Sequence, residues 1–436
     1  MSATPAEHGP APARQRWMAW PFLVFMACSG MPLTYSLVPS RPMLVSDVAD
    51  MTYAAAASGN SLNSLFNMVL LAVLYGASGA VLLRHPRDAA LLVKRHWPLP
   101  ALILLLGCSA LWSYQPAKVL LNFVHHVGVI LIALAAARHY RCDPWRLPVD
   151  LGNVLGLNMA LHVAAVILIP AYAIDWQARW QGMTPHPNTL GALAFTTFWA
   201  NAGVLVCLPH AARRRWHLCA CLLAVSAMIG ADSVTSKLTS LVALTLLLLL
   251  RGLHKRRAGP GVYLAGVALA AASLALFKLL ESAVDLKWLF DLLGRDSELT
   301  GRSAVWADAW KAIGAKPLLG WSFDDHAYLI ASAGMPYSSY HNGVLDLAVN
   351  GGAVAVALLA ALMLSWACGY LRPGRVGRTI APFGVAYVLT YMMHNLTEAS
   401  LLAPRGQLWV IFLVLLLLGA CTRQQPRSPE WSGHAT

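Results

Sequence analysis

Residues 295–352 read RDSELTGRSAVWADAWKAIGAKPLLGWSFDDHAYLIASAGMPYSSYHNGVLDLAVNGG and form the longest polar interruption in this chain. The stretch holds Arg302, Asp324 and the dipeptide His341-Asn342. On both sides of it the sequence runs in apolar segments of about 20 residues, the length of a helix that spans a lipid bilayer. The sequence therefore predicts a membrane scaffold that holds one polar segment at a water interface.

The composition indicates the same class of protein. Of the 436 residues, 58% are hydrophobic and only 12% are charged, whereas soluble domains carry about 25% charged residues. Only helices and closed barrels satisfy their backbone hydrogen bonds in lipid, and apolar runs of this length indicate helices. We therefore predict an all-α polytopic membrane protein. The net charge of +13 is attributed to basic loops on one side of the membrane, so no nucleic-acid partner is expected.

The apolar runs predict about twelve transmembrane helices. They lie near 18–38, 62–83, 98–113, 118–137, 148–173, 187–208, 217–232, 237–251, 261–280, 343–371, 379–395 and 405–421. The chain then divides into an N-terminal segment, helices one to nine, one large polar loop, helices ten to twelve and a tail. The corresponding ranges are 1–17, 18–280, 281–342, 343–421 and 422–436.

The loops between these helices alternate in charge. Most Lys and Arg residues lie near the two termini and in the loops 84–97, 138–146, 213–217, 251–257 and 372–378. Cytoplasmic loops of membrane proteins collect Lys and Arg. We therefore predict that these loops and both termini are cytoplasmic, and that the large polar loop faces outward.

The sequence favours neither a metal nor a cofactor. It contains no motif typical of nucleotide-binding or zinc-protease sites, and its eight Cys lie mostly in or beside apolar runs. Carboxylates and imidazole together suit divalent ions, which makes Asp324-Asp325-His326 a candidate metal site. One short cluster is weak evidence, and we interpret it as a solvated loop.

Two cations on the predicted outward side are candidates for anion binding. Arg179 is the only cation of the loop 175–191 and precedes Asn188, which would open a helix whose free amides attract anions. Lys237 lies in a short hydroxyl-rich turn. The alternatives are an interfacial anchor for Arg179 and an ordinary capped turn around Lys237.

The large loop is predicted to contain an amphipathic helix. Thr300 is its candidate N-cap, and Gly314 is its candidate end. A helix with two Trp on its apolar face should lie in the membrane interface. The residues that share this face are Arg302, Val305, Trp306, Ala309, Trp310 and Ile313. Arg302 is then either a ligand for a lipid-linked diphosphate or an anchor that reaches toward water.

The dipeptide His341-Asn342 is the strongest candidate for catalysis. Ser338 or Ser339 is predicted to cap the tenth transmembrane helix, which would place the dipeptide in the first helical turn. The positive end of a helix disfavours imidazolium, and a general base must be neutral. Asp346, one turn further on, is predicted to orient the ring.

The loop 394–406 carries two further candidates, Glu398 and Arg405. They would either pair with each other or complete the same site. Glu398 is the main rival of His341 for the role of general base, because a carboxylate also accepts a proton.

Spaced motifs give the sequence a family resemblance. They are WS-x-QPAK (112–118), R-x2-G-x5-N (179–188), TGR-x3-W (300–306), KP-x2-G (316–320) and HNG-x2-D-x4-GG (341–352). In combination they resemble the O-antigen ligase and polymerase family of bacterial lipid-linked glycan transferases. The likeness extends from about Ser109 to Arg405.

The resemblance implies a fold similar to the C-type glycosyltransferases, in the bacterial inner membrane, with a catalytic periplasmic loop at 281–342. The family's loop histidine and loop arginine correspond to His341 and Arg302, and its arginine before the sixth helix corresponds to Arg179. Where many members carry an arginine after the seventh helix, this chain has Lys237, which keeps the charge but lacks the bidentate fork.

Within the family, ligases move a finished glycan from undecaprenyl diphosphate to a sugar hydroxyl of lipid A-core, and polymerases extend the glycan on its carrier. We favour a ligase, because the loop is basic at Lys311 and Lys316 and flanked by Trp, which suits an anionic glycolipid acceptor. A flippase without chemistry is the alternative of another class. Such a transporter would place ionisable groups near mid-bilayer, whereas here the polar groups collect at one surface.

The predicted mechanism is a metal-independent, inverting glycosyl transfer. The predicted catalytic residues are His341, Arg302 and Glu398. The predicted diphosphate- and glycan-binding residues are Arg179, Lys237, Arg405, Asn342 and Trp306. The expected partners are the undecaprenyl-diphosphate-linked glycan donor, the lipid A-core acceptor and membrane lipids.

Overall fold

A computed structural model describes residues 18–31, 61–255, 298–324, 326–334 and 339–422. Within 61–64 and 298–304 it describes the backbone alone. Several predictions therefore concern residues outside the described ranges. These are the N-terminal segment 1–17, the ninth predicted span at 261–280, Asp325, Ser338 and the tail beyond 422.

Within the described ranges the fold is all-α, with two isolated β-bridges and no strand. We number the helices in chain order. They are α1 (Trp20–Cys28), α2 (Ser61–Leu83), α3 (Pro86–Arg95), α4 (Pro98–Cys108), α5 (Pro116–Tyr140), α6 (Arg146–Leu168), α7 (Pro170–Ala173), α8 (Pro187–Cys207), α9 (Arg214–Gly230), α10 (Val234–Lys255), α11 (Glu298–Ala315), α12 (Ala327–Ala333), α13 (Gly343–Leu371), α14 (Val376–Thr379), α15 (Ala381–His394) and α16 (Gln407–Ala420). A short 3-10 helix, Ser109–Leu111, follows α4.

Each predicted span that falls in the described ranges contains a helix, although the fifth, 148–173, is divided into α6 and α7. Among the described residues six helices are long and apolar enough to cross a membrane, and the pair α3 and α4, bent by 84°, would make a seventh. The helix α16 is apolar but only 14 residues long. The all-α polytopic fold is therefore confirmed, while the total of about twelve spans stays a prediction.

Proline sets the start of several helices. Pro86, Pro98, Pro116 and Pro187 each occupy the first or second position of a helix. The first amides of a helix have no partner within it, so the N–H that proline lacks costs no hydrogen bond there. The helices consequently begin close to where the apolar runs begin, and the polar loops stay at the ends of the bundle.

The loops sort into two ends of the bundle. At one end Arg138 pairs with Asp88, and both Arg95 and Arg375 donate hydrogen bonds to the Ala420 carbonyl, at 2.9 and 2.8 Å. We call this the basic end, because it brings together the loops after α2, α5, α13 and α16. The loops predicted to share one face of the membrane therefore meet in space.

The opposite end gathers the loops that were predicted to face outward. Ser113 Oγ donates to Asp324 Oδ2 at 2.7 Å, which joins the loop after α4 to the loop after α11. Asn188 Nδ2 donates to Glu398 Oε1 at 3.2 Å, which joins the start of α8 to the loop after α15. We call this the polar end.

The helix α16 forms the centre of the core, and all of its residues are buried. A helix that is apolar all round is stable only when it is surrounded by other helices. Tyr387 of α15 and Tyr370 of α13 each donate a hydroxyl hydrogen bond to its backbone, at 2.7 and 3.1 Å. Because α16 is enclosed, the loops at both of its ends are held against neighbouring helices.

The segment Pro317–Trp321 inserts into a kink of α13 at Gly352. At this kink Gly352 has φ +62° and ψ −163°, a conformation that side chains other than glycine rarely adopt. The backbone carbonyl of Pro317 accepts the Ala353 amide at 2.8 Å, and the Trp321 amide donates to Val349 at 2.9 Å. The KP-x2-G and GG motifs therefore lie where two backbone segments cross and bond to each other. This crossing anchors the large loop to α13.

Gly352→Ala is expected to lower the melting temperature of the purified protein by several degrees. A Cβ at this position would collide with the Leu318 carbonyl group, and overpacking of this kind costs about 1–3 kcal/mol, in addition to backbone strain. Thermal melting in detergent measures the effect. The matched control is Gly314→Ala on α11, where a Cβ would meet no atom within 4 Å. Equal melting temperatures for the two variants would contradict the crossing as a stabilising element.

Candidate functional site

The segment 394–400, which follows α15, connects the helices of the polar end. Asn395 is fully buried, and its Oδ1 accepts hydrogen bonds from the Ser400 and Leu401 amides at 2.9 and 2.8 Å. Its carbonyl accepts the Gly343 amide at 2.8 Å. The sequence analysis missed Asn395, although the dipeptide His394-Asn395 repeats the pattern of His341-Asn342. We call residues 394–400 the hub.

Asn342 caps α13, and neither predicted serine does. Its Oδ1 accepts hydrogen bonds from the Val344 and Leu345 amides at 3.0 and 3.1 Å. Its Nδ2 donates to the Leu396 carbonyl of the hub at 3.2 Å. Asn is a favoured N-cap residue, and this one joins the start of α13 to the hub.

Gly343 completes this junction. Its amide also donates to the Glu398 carbonyl at 3.1 Å, and a Cβ at this position would collide with Asn395 Oδ1. The HNG motif therefore consists of an exposed histidine, a capping asparagine and a glycine that allows the hub to approach. Glu398 and His341 consequently belong to adjoining stretches of backbone.

His341 lies one residue before the N-cap and is exposed. Its φ of +51° is in the left-handed region, which is uncommon for residues other than glycine. Its amide donates to Ser339 Oγ at 3.1 Å. This turn comes immediately before α13 begins, and it holds His341 at the surface of the polar end.

Asp346 stabilises this turn and does not orient the His341 ring as predicted. Its two carboxylate oxygens accept hydrogen bonds from Ser339 Oγ at 2.9 Å and from the Tyr340 amide at 2.8 Å. Both carboxylate oxygens therefore bind residues that precede His341. Asp346 therefore acts on the conformation of the turn that carries the histidine.

The amphipathic helix α11 begins at Glu298, two residues before the predicted cap Thr300, and ends at Ala315. Its apolar side packs against Tyr340, Leu345 and Val349. Trp306 Nε1 donates to the Tyr340 carbonyl at 3.0 Å, so this predicted glycan-binding residue supports the histidine turn.

Trp310 departs from the predicted apolar face of α11. It is 64% exposed, and an exposed Trp on an amphipathic helix suits the membrane interface. Arg302 lies one helical turn before Trp306, and the structure describes its backbone alone.

The loop before α8 places Arg179 beside an acidic partner. Its Nε and Nη2 both contact Asp175 Oδ2 at 3.0 Å. His186 caps α8 with an Nδ1 that accepts the Asn188 amide at 3.1 Å. Burial lowers the pKa of His186, and the nearby cation Arg179 lowers it further, with a smaller contribution from His341. Arg179, His186 and His341 are therefore close enough to interact electrostatically.

The hub also contacts the start of α10. Thr235 and Thr397 share a hydrogen bond between their hydroxyl groups at 3.1 Å. Lys237, two residues after Thr235, pairs with Asp232 at 2.9 Å and is partly exposed. Lys237 therefore lies in the first turn of α10, two residues from this contact, and not in a turn before the helix as predicted.

Arg405 lies apart from these residues. It lines a small cavity of about 80 Å³ with Phe25, Cys28 and Asn67 of α1 and α2. It also lies near Tyr75 and His125, on which it acts electrostatically. The two alternatives for Arg405 and Glu398 were an ion pair and a shared site. Neither is supported, because Arg405 lines this cavity and Glu398 contacts Asn188.

The interpretation of Asp324 as part of a solvated loop is wrong. The side chain is fully buried and accepts hydrogen bonds from Ser113 Oγ at 2.7 Å and from the amides of Tyr114 and Tyr328 at 3.1 and 3.3 Å. A buried carboxylate needs such partners. Asp324 therefore joins the WS-x-QPAK motif to the large loop. Among the described residues, no group of three or more His, Cys, Asp or Glu has the geometry of a metal site.

A cavity of about 290 Å³ lies between α5, α13 and the loop after the hub. Its lining is partly polar and partly apolar, and it contains no Lys or Arg among the described residues. The polar side chains that line it are Asn122, His126, His326, Ser339, Asp346 and Asn350. Two of them hold buried atoms without hydrogen-bond partners, His126 Nδ1 and Asn350 Oδ1. Such a cavity suits a neutral, hydroxyl-bearing group better than an anion.

The two lysines that suggested an anionic acceptor are engaged within the protein. Lys311 pairs with Asp308 at 2.8 Å, and Lys316 lies over the rings of Trp321 and Tyr328 at 4.3 and 3.8 Å from their centroids. A cation held over two aromatic faces is stabilised there. These lysines therefore give no support for a ligase over a polymerase.

Residues 219–360 match the family model described as O-antigen ligase. This segment belongs to the O-antigen ligase family. The match includes Lys237, Arg302, Trp306 and the His341-Asn342 turn, and the resemblance inferred from the motifs is confirmed there. Arg179, Glu398 and Arg405 lie outside the matched residues. No curated protein matches the chain.

The matched residues 219–360, which run from α9 into α13, thus include one side of the polar end. The start of α8 and the hub supply the other side through Asn188 and Glu398. Asn342 contacts the hub, Arg179 and His341 both act electrostatically on His186, and Arg405 lines a different cavity. This arrangement combines candidate proton acceptors with candidate anion ligands at one end of a membrane protein.

Proposed function

We propose that this chain is an O-antigen ligase, which transfers a glycan from undecaprenyl diphosphate to a sugar hydroxyl of lipid A-core. The observation that carries the proposal is the set of contacts that one hub makes with the matched residues at α13, with the start of α8 and with the first turn of α10. The candidate bases Glu398 and His341 lie in the hub and next to this junction. In this proposal the polar end faces the periplasm and the basic end faces the cytoplasm, because Lys and Arg collect in cytoplasmic loops.

The cations hold the donor diphosphate. Arg179 lies in the loop before α8 and Lys237 in the first turn of α10. Arg302 belongs to α11, within the matched residues. Cations placed where charge develops stabilise a transition state without reorganisation. They would supply the charge neutralisation that a metal supplies in other transferases, and no metal or cofactor is proposed.

The bond changes are those of a single displacement. The acceptor hydroxyl oxygen attacks the anomeric carbon on the face opposite the diphosphate. The bond between that carbon and the diphosphate oxygen breaks, and undecaprenyl diphosphate leaves with the electron pair. The hydroxyl proton passes to the general base, for which we propose His341, with Glu398 as the alternative. Direct attack inverts the anomeric configuration and forms no covalent glycosyl-enzyme.

The polar cavity is the proposed site of the acceptor sugar. It begins next to Ser339 and Gly343, on either side of the histidine turn. Asn350 Oδ1 can only accept hydrogen bonds, and sugar hydroxyl groups can donate them. Its described lining contains no Lys or Arg, so the sugar would lie apart from the cations that hold the diphosphate.

The test is a reconstituted reaction with purified protein, a defined undecaprenyl-diphosphate-linked glycan and lipid A-core. We expect a product linked to lipid A-core with inverted anomeric configuration, and undiminished activity in EDTA. A product extended only on its lipid carrier would identify a polymerase. Movement of the intact donor across vesicles without transfer would identify a flippase. Loss of activity in EDTA that a divalent ion restores would contradict the metal-independent mechanism.

A further inference from the structure

A second cavity, of about 390 Å³, lies at the basic end, far from the proposed active site. It is bounded by the turn between α3 and α4, by the last turns of α13 and by the end of α16. Its lining includes three arginines, Arg95, Arg372 and Arg375, and no Asp or Glu among the described residues. Three like charges around one cavity repel each other unless an anion lies between them.

The arginines are held close together by the protein. Arg95 and Arg375 both donate to the Ala420 carbonyl, at 2.9 and 2.8 Å. The pKa of Arg375 is lowered by burial first, and then by the charges of Arg95 and Arg372. The fold therefore tolerates mutual repulsion at this position. Each guanidinium has five N–H donors, so donors remain for a ligand.

A buried histidine in the same lining fixes the turn between α3 and α4. His96 is 1% exposed, and its Nδ1 contacts Ser365 Oγ of α13 at 2.6 Å. Its ring also interacts with the backbone of Leu416 on α16. The turn is therefore held against both helices, which fixes the neighbouring Arg95 at the edge of the cavity.

The rim of the cavity carries exposed apolar side chains. Trp97 and Leu364, which both line it, are 60% and 67% exposed. The adjoining helix α3 bends by 84° from α4, and its Leu91 is exposed. Such a short amphipathic helix lies in the membrane interface, where Trp is also enriched. A ligand that enters here would come from the lipid headgroup layer.

We propose that this cavity binds the phosphate of an anionic phospholipid from the leaflet at the basic end. The planar guanidinium groups match phosphate oxygens bidentately, and the exposed Trp97 and Leu364 would contact the acyl chains. Basic cavities between transmembrane helices are known to hold such headgroups. The site is independent of the glycan chemistry proposed for the polar end.

The test measures lipid binding to the purified protein in detergent, by native mass spectrometry and by thermal melting. We expect phosphatidylglycerol and cardiolipin to bind and to raise the melting temperature, and phosphatidylcholine to do neither. Arg372→Gln should weaken binding about fivefold, since one cation near a lipid surface contributes about 1 kcal/mol. Arg372→Gln combined with Arg375→Gln should weaken it further.

The matched control is Arg215→Gln, at an exposed position of α9 outside the cavity. It should bind the anionic lipids as the wild type does. If the double variant fails to fold because Arg375→Gln removes the hydrogen bond to the Ala420 carbonyl, the single variant Arg372→Gln, at an exposed position, still tests the proposal. Equal binding by Arg372→Gln and wild type would overturn the proposal. Equal stabilisation by phosphatidylcholine would also overturn it. Equal stabilisation by soluble glycerol phosphate would overturn it as well, because it would indicate a site for free phosphate.

Discussion

Replacing His341 with alanine is expected to lower the rate of glycosyl transfer by about 10²- to 10⁴-fold, because the acceptor hydroxyl would lose its general base. The structure supports this histidine through the turn that carries it. Its φ of +51° is an unfavourable conformation, and strain of this kind occurs where the surrounding structure imposes it, often at functional sites. Asp346, Ser339 and Trp306 all hold the residues just before it.

The measurement is transfer by purified His341→Ala protein, with folding checked by thermal melting and donor binding measured separately. Lost transfer with retained donor binding is the expected result. His210→Ala, at an exposed histidine after α8, is the matched control and should keep full activity. Full activity in His341→Ala, combined with loss in Glu398→Gln, would assign the role of base to the carboxylate. Glu398→Gln keeps the side-chain oxygen that accepts from Asn188, so it tests the charge and not the hub.

Arg302→Ala and Arg179→Ala are each expected to lower the rate of transfer by about 10²- to 10³-fold, the usual effect of removing a donor aimed at developing charge. Breaking the glycosidic bond leaves negative charge on the diphosphate, and cations at headgroup depth stabilise it. Arg302→Lys should also be poorly tolerated, because a point charge replaces a bidentate fork. The Nε and Nη2 atoms of Arg179 both contact the Asp175 carboxylate, so Asp175 positions this guanidinium.

Single-turnover transfer at saturating donor concentration measures these effects, and expression and melting temperature check the fold. Lys311→Ala is the matched control for Arg302, because Lys311 is a cation on the same helix, is 70% exposed and pairs with Asp308. It should leave the rate within about twofold, as removal of an exposed ion pair usually costs little. Near-normal transfer by a stably expressed Arg302→Ala protein would place the diphosphate elsewhere.

The sequence alone predicted the helices well. The spans near 118–137, 187–208 and 343–371 correspond to α5, α8 and α13. Hydropathy over about 20 residues reports a local requirement, since each backbone group in lipid must find its partner within its own helix. The same reasoning explains why the basic loops meet at one end, because each span reverses the direction of the chain.

The sequence also predicted that a helix begins close to His341 and Asn342, because short polar residues before an apolar run are a local signal. It placed the dipeptide in the first helical turn, whereas Asn342 is the N-cap and His341 precedes it. It did not predict that Asn342, and not Ser338 or Ser339, is the cap. That choice depends on the hub, where the Leu396 carbonyl holds Asn342 Nδ2. Asn and Ser are both favoured N-cap residues, so the sequence does not distinguish them, whereas the contact of Asn342 with the hub does.

Tertiary structure alone decided which distant groups meet. Asp324 looked solvated because it lies in a polar stretch, yet it is buried against Ser113, more than 200 positions earlier. Glu398 and Arg405 are close in sequence, yet one joins the hub and the other lines a cavity with α1 and α2. Helix formation depends on local hydrogen bonds and apolar period, whereas these pairings depend on how the helices pack, and packing is set by side-chain shape across the whole bundle.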